Sequence, residues 1–215
     1  MKSVLLIGLG TFGKHVVMEL SKLGHEMMVV DNDEAKINEM LPYVTNGQIG
    51  DSTKKEFLES LDIPGFDVCI VTIGNDFQSS LETTSLLKEL GGKKVIARAE
   101  QDTQEKFLLC NGADEVVYPE KQLAKWMAIR YSTNHILEYI PFDEEYVIFE
   151  VELPQSWSYK TIGEIDIRRK FEVNIMGIRR NGKLQPFVIA ETKFLPQDTI
   201  LVLGSFEKLQ KHFKL

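Results

Sequence analysis

Basic residues are in short supply in this chain of 215 residues: 25 lysines and arginines stand against 32 aspartates and glutamates, a net charge of -7. That balance argues against a duplex-binding protein, whose affinity comes from a basic face that releases counterions from the phosphates, and no nucleic-acid partner is expected. Cysteine is scarcer still. Cys69 and Cys110 both fall in apolar or helical surroundings, which fits reduced core thiols in a cytosolic protein and not a structural disulfide. The four histidines, His15, His25, His135 and His212, never come at ligand spacing from one another or from a cysteine, so no histidine zinc site is expected. Long apolar runs are missing as well: none approaches the ~18 residues of a membrane span. A strand pattern begins directly after Met1 and Lys2, so a signal peptide is not expected either. The expected location is cytoplasmic, reaching the inner face of the membrane only through a partner.

What the chain does have is ordinary for a globular protein, 43% hydrophobic and 27% charged residues. "SVLLIGLG" is apolar at consecutive positions, the mark of a strand covered on both faces. "TFGKHVVMELSKLG" then carries Val16, Val17, Leu20 and Leu23 on one helical stripe, stopped by Gly24. "EMMVVD" is a second strand, "NDEAKINEML" a helix with Asn32 or Asp33 as N-cap, and "GQIGD" a weak third strand. "STKKEFLESL" is a helix capped by Ser52 or Thr53. "DVCIVTIG" and "KKVIARAE" are strands on either side of a helix around "SSLETTSLLKEL", and a helix around "TQEKFLLCNG" leads to the short strand "EVVYP". Strand and helix in strict alternation predict an α/β fold, a Rossmann-like doubly wound parallel sheet over residues 1–119.

From Glu120 the texture changes. "EKQLAKWMAIRYSTNHILEYI" predicts one amphipathic helix over 120–141, with Leu123, Trp126, Met127, Ile129 and Ile136 apolar, ended by Pro141. Trp126, Met127 and Ile129 suit either a subunit contact or packing within their own chain. Residues 142–215 predict a small α+β module. "YVIFEVELP" alternates as a half-exposed strand and "TIGEIDIRRKF" is helical. "VNIMGIRRNGKLQPFVIA" gives two strands joined at Asn181-Gly182, and "TILVLGS" is a last strand before a short helix ending at Leu215.

Gly8-Leu9-Gly10-Thr11-Phe12-Gly13 is a GxGxxG placed between a strand and a helix. Gly8 permits the tight turn, Gly10 lets phosphates approach the backbone, and Gly13 lets the helix pack close to the strand. The helix start offers free N–H groups and the positive end of a dipole to a pyrophosphate. Asp31 ends the second strand about twenty residues on, where a carboxylate accepts hydrogen bonds from a ribose diol. Asp51, the stretch Thr72 to Asp76, and Arg98 end neighbouring strands on the same rim. Arg98 suits two roles: a cation facing phosphates across the crevice, or a surface arginine paired with Glu100 or Asp102.

Groups that react are harder to find. The Tyr-x-x-x-Lys pair of short-chain dehydrogenases is missing, and Tyr118 and Lys121 have the wrong spacing. Neither a nucleophile elbow nor a GKST-type phosphate loop is present, so binding without catalysis is expected. A small NAD(P)-dependent oxidoreductase is the rival suggested by the glycine loop and Asp31.

"VLLIGLGTFG", "GHEMMVVDNDEAKI", "VTIGNDFQSSLETTSLLKELG", "GADEVVYPEK" and "IDIRRKFEVNIMGIRR", in this order, make the chain resemble the cytosolic RCK-domain regulatory subunits of Ktr- and Trk-type bacterial potassium uptake systems, the TrkA/KtrA-like family. The resemblance implies an N-terminal and a C-terminal RCK module. It implies an adenine-nucleotide site, ATP/ADP or NAD/NADH, lined by Gly8, Gly10, Phe12, Gly13, Asp31, Asp33, Asp51, Ser52, Thr72, Ile73, Gly74 and Arg98. It further implies a homo-oligomeric ring, commonly octameric, that docks on a membrane-embedded potassium channel or transporter subunit and gates it. A nucleotide sensor serving a different transporter is the variant of that reading. Ktr-type relatives often carry arginine where this chain has Thr11, so the position lacks the charge that would read a γ-phosphate, and NAD(H) or ADP gains as the expected ligand. Glu120, just after the strand-six proline, corresponds to a ligand of a divalent cation shared between subunits; its alternative is an acid favoured by the helix dipole. In some relatives the C-terminal module binds cyclic di-AMP. Ile165, Asp166, Ile167 and Arg168 match that segment, with Asn174, Ile175 and Pro186 as wall residues, against a plain solvated helix.

Overall fold

The computed structural model describes residues 1–133, 135–143 and 145–213, and the chain divides into two compact units, 1–122 and 123–215. The first contains strands β1 (Ser3–Ile7), β2 (Glu26–Asp31), β3 (Asn46–Ile49), β4 (Val68–Val71), β5 (Val95–Arg98) and β6 (Glu115–Val117). They form one parallel sheet in the order β3-β2-β1-β4-β5-β6, so the doubly wound arrangement expected of residues 1–119 is present. The central strand explains the unbroken apolar run. Val4 and Leu6 of β1 enter a core with Val17, Met27, Val29 and Ile37, while Leu5 and Ile7 enter a second core with Leu58, Val71, Leu87 and Leu108. Burial of both faces removes the polar half of the usual strand pattern.

Five helices follow the first five strands: α1 (Thr11–Lys22), α2 (Glu34–Met40), α3 (Lys55–Glu59), α4 (Phe77–Glu89) and α5 (Asp102–Cys110). α1 stops at Gly24, whose φ of +74° ends the helical turn. Of the two cap candidates for α2, Asp33 takes the role and accepts from the Ala35 N–H at 2.9 Å. For α3 neither Ser52 nor Thr53 does. The helix starts only at Lys55, because Asp51 folds back to accept from Thr53 N and Oγ1, and Ser52 is buried against Thr83 Oγ1 at 2.8 Å.

The unit boundary falls inside α6 (Pro119–Arg130). The second unit contains β7 (Ile136–Pro141), β8 (Tyr146–Glu152), α7 (Ile162–Ile165), α8 (Ile167–Phe171), β9 (Asn174–Arg180), β10 (Lys183–Gln185), β11 (Thr199–Ser205) and α9 (Phe206–Phe213). Its sheet is antiparallel in the order β10-β9-β11-β8-β7, over a core containing Phe149, Trp157, Ile178 and Phe194.

Three expectations are corrected here. The bridging helix over 120–141 ends at Arg130, and Ile136–Pro141 is instead strand β7. Ser132 Oγ donates to Ile129 O, and Thr133 Oγ1 accepts from His135 N, so short polar side chains draw the backbone out of the helix. The "TIGEIDIRRKF" helix is two helices, broken at Asp166 with φ 54° and ψ 50°. The strand after the Asn181-Gly182 turn stops at Gln185, although both turn residues take the expected positive φ. The predicted end of the last helix at Leu215 lies outside the described residues.

Candidate functional site

The order of the parallel sheet reverses between β1 and β4, and at the carboxyl ends of these strands lies a cleft of about 1130 Å³. Open α/β sheets bind ligands at such a switch point. The three glycines of the loop do different work. Gly8 has φ +97°, and a Cβ there would come within 3.0 Å of Ile73 N, so both conformation and space require glycine. A Cβ on Gly13 would meet Gly8 O at 2.2 Å and Thr72 Oγ1 at 2.6 Å, which lets α1 lie directly on the loop. Gly10 has nothing within 4 Å of that position, leaving one face of the loop open at the start of α1. The first turn of α1 has no acidic residue, so its N–H groups keep their positive field.

Asp31 binds the loop to the end of β2. Its Oδ2 accepts from Leu9 N at 2.6 Å, its Oδ1 accepts from Asp33 N at 2.9 Å, and Lys36 Nζ lies 3.4 Å away. A carboxylate has about four acceptor sites, so acceptor capacity remains for a ribose diol after these bonds. Thr72 Oγ1 donates to Gly8 O at 2.5 Å, fastening the β4 end to the glycine turn. Asp51 sits on the rim with its carboxyl held below the ordinary range, chiefly by Thr53.

Arg98 closes the other wall. Its guanidinium lies 5.5 Å from the centroid of the Phe12 ring. Nη2 is paired with both Glu120 and Glu100, while Nε is buried with no hydrogen-bond partner among the described residues. The Glu120 carboxyl is held below its ordinary value by the backbone N–H of its own residue and by Arg98. Of the two acids expected near Arg98, Glu100 is engaged; Asp102 pairs with Lys121 at 2.6 Å instead.

Of the expected nucleotide residues, Gly8, Gly10, Thr11, Phe12, Asp31, Asp51, Ser52, Thr72, Ile73, Gly74 and Arg98 line this cleft, together with Glu120. Gly13 and Asp33 do not: the first is covered by Gly8 and Thr72, and the second is spent as the α2 cap. Sequence reasoning missed Lys14, Lys36 and Glu100 as lining residues, whereas Asn75, inside the expected rim stretch Thr72 to Asp76, does line it. Lys36 had a signal, since it lies in the helix directly after Asp31. Glu100 had only its pairing with Arg98. Among the described residues no group of three or more His, Cys, Asp or Glu side chains gathers to hold a metal ion.

The second unit has its own pocket, of about 410 Å³, lined by Asp166, Ile167, Arg168 and Ile175 with Ile162, Gly163, Val188, Ile189 and Ala190. Ile165, Asn174 and Pro186, expected beside them, are not on its wall. Ile165 is buried in the core, because the turn at Asp166 sends it inward.

Residues 4–119 match the TrkA-N domain model and residues 146–215 the TrkA-C domain model. The chain belongs to the TrkA-N/TrkA-C family. It is 36% identical to Ktr system potassium uptake protein C of Bacillus subtilis (strain 168), covering 99% of this chain and 99% of the relative. Ktr system potassium uptake protein A of the same organism is 32% identical, with 98% of this chain and 95% of the relative covered. Among solved structures, the GsuK RCK domain shares the fold with a TM-score of 0.69 at 21% identity, over 100% of this chain and 47% of that one. The GsuK channel bound to NAD gives 0.68 at 20% identity, over 97% of this chain and 38% of that one. In this TrkA-family chain the glycine-loop cleft falls within the TrkA-N segment and its flank, and the smaller pocket falls within the TrkA-C segment.

Proposed function

We propose that this chain is a nucleotide-sensing regulatory subunit of a potassium uptake system. The observation that carries the reading is the cleft itself: an open glycine loop, a buried strand-end carboxylate, and an arginine whose Nε has no protein partner. An adenine nucleotide fits those groups, with its ribose on Asp31 and its phosphates at the start of α1 toward Arg98. The uptake role rests on full-length similarity to Ktr potassium uptake proteins. Regulation in place of catalysis is supported by the carboxyls of Asp51, Asp76 and Glu120, all held below the ordinary range, the opposite of a proton donor tuned to neutral pH. Calorimetry with ATP, ADP, NAD and NADH tests the site. Asp31→Asn is expected to weaken binding about tenfold, and absence of binding by all four rejects the reading.

The finer parts are proposals of the same kind. The subunits form a homo-oligomeric ring, octameric as the family resemblance implies, on a membrane-embedded potassium channel or transporter subunit. The ligand works by differential affinity for two ring shapes, and a nearly complete shift needs about 5.5 kcal/mol, which identical sites share. A divalent cation joins at Glu120, with the remaining ligands supplied by the bound phosphates and a second copy. The 410 Å³ pocket of Asp166, Ile167, Arg168 and Ile175 takes cyclic di-AMP, with Arg168 as its cation. Titration with that dinucleotide tests the last point; a flat response with Arg168 intact rejects it.

A further inference from the structure

The nucleotide cleft is poor in free positive charge. Six carboxylates line it but only three cations, Lys14, Lys36 and Arg98. Each of the three is already engaged: Lys14 with Glu39, Lys36 with Asp31, and Arg98 with Glu100 and Glu120. Arg98 lies against the glycine loop, over Phe12. Its two acids meet on a single nitrogen, so the group of three carries net negative charge at the end of the cleft where phosphates belong. Thr11 adds no cation, and what remains positive there is the start of α1 and the buried Nε–H of Arg98, which has no partner among the described residues.

We infer that Glu120 is a specificity-determining residue that makes this cleft rank adenine nucleotides by charge, favouring a pyrophosphate-bridged dinucleotide with a cationic ring over a nucleoside triphosphate when no divalent cation is present. This rests on the nucleotide reading given above. A triphosphate placed beside Glu100 and Glu120 meets two carboxylates for one shared guanidinium, and like charges at this separation oppose binding. An oxidised nicotinamide dinucleotide brings far less negative charge to the same groups. Its pyrophosphate is served by the start of α1, which needs no side chain. Glu120 has the larger freedom of the two acids, being 57% exposed in its side chain against 38% for Glu100. It also lies in the first turn of α6, the helix through which the chain passes into its second unit.

The test is calorimetry on the full chain in EDTA, with NAD+, ADP, ATP and adenosine as ligands. The expected order of affinity is NAD+ above ADP above ATP. Glu120→Gln is expected to narrow the gap between ATP and NAD+ about fivefold, the size of one partly exposed charge interaction. Glu120→Asp keeps the wild-type order, and adenosine, which has no phosphate, binds equally to all three proteins. The inference is overturned if the wild type binds ATP as tightly as NAD+ in EDTA. It is overturned equally if Glu120→Gln leaves their ratio unmoved, or shifts adenosine as much as ATP. Failure of all four compounds to bind removes the nucleotide reading, and this inference with it.

Discussion

Single residues in this chain are constrained by distances that only the fold creates. Gly13 is the sharpest case, because a methyl group there would sit 2.2 Å from Gly8 O. Gly13→Ala is expected to destabilise the chain by about 2–3 kcal/mol in urea denaturation, through overpacking of α1 on the loop. The thiols differ for a similar reason. Burial pushes the Cys69 thiol up to about 12, while Cys110 is exposed at the end of α5. A thiol reagent at pH 8 should therefore modify only Cys110 in the native protein and both after denaturation, since only the thiolate reacts. The expectation of two core thiols holds for Cys69 and is corrected at Cys110, which the end of α5 leaves exposed. The glycine spacing, by contrast, identified Gly8 and Gly10 correctly as cleft residues, because loop conformation is a local demand.

At the scale of elements, Asp166 decides where one predicted helix becomes two. It adopts a left-handed conformation that costs an L-residue about 1–2 kcal/mol and glycine almost nothing. Asp166→Gly should leave stability equal or slightly raised, whereas a valine there should lower the melting temperature. If cyclic di-AMP binds the pocket through this carboxylate, the same glycine variant loses that affinity without losing the fold. The α6–β7 junction is the other element that sequence misjudged. Trp126 Nε1 donates to Tyr139 O at 2.9 Å and Arg130 donates to Ile136 O, so the tail of the helix is bonded to the strand that follows it. Residues 136–141 pair with β8, which lies after them in the chain, and helical periodicity upstream carries no information about that partner.

For the molecule as a whole, acid should act in part through two buried carboxylates of the second unit. Glu150 is held below its usual range by Arg179, against the cost of burial; at Asp198 burial pushes upward, yet Arg180 and Leu195 N bring the net shift below the ordinary value. Both folded-state values are depressed, so their stabilisation is complete above the unfolded carboxylate pKa of about 4 and is lost as pH falls through the folded values. Urea midpoints measured from pH 7 to pH 3 should fall mainly below about pH 4. Asp198→Asn should remove part of that dependence and cost about 3 kcal/mol at pH 7, because it leaves Arg180 without its buried partner. Light scattering of the pure chain is expected to give a multimer; a strict monomer at micromolar concentration would count against the ring. The alternation of strands and helices, the glycine loop and a cap for α2 at Asn32 or Asp33 were determined by the sequence alone, since periodicity, φ preference and capping act over a few neighbouring residues. Only the tertiary structure decided that Arg98 meets Glu100 and Glu120, that Asp31 accepts from the glycine loop at Leu9 N, and that β7 is a strand. Those outcomes depend on groups brought together from distant parts of the chain, and no local pattern records which of them will meet.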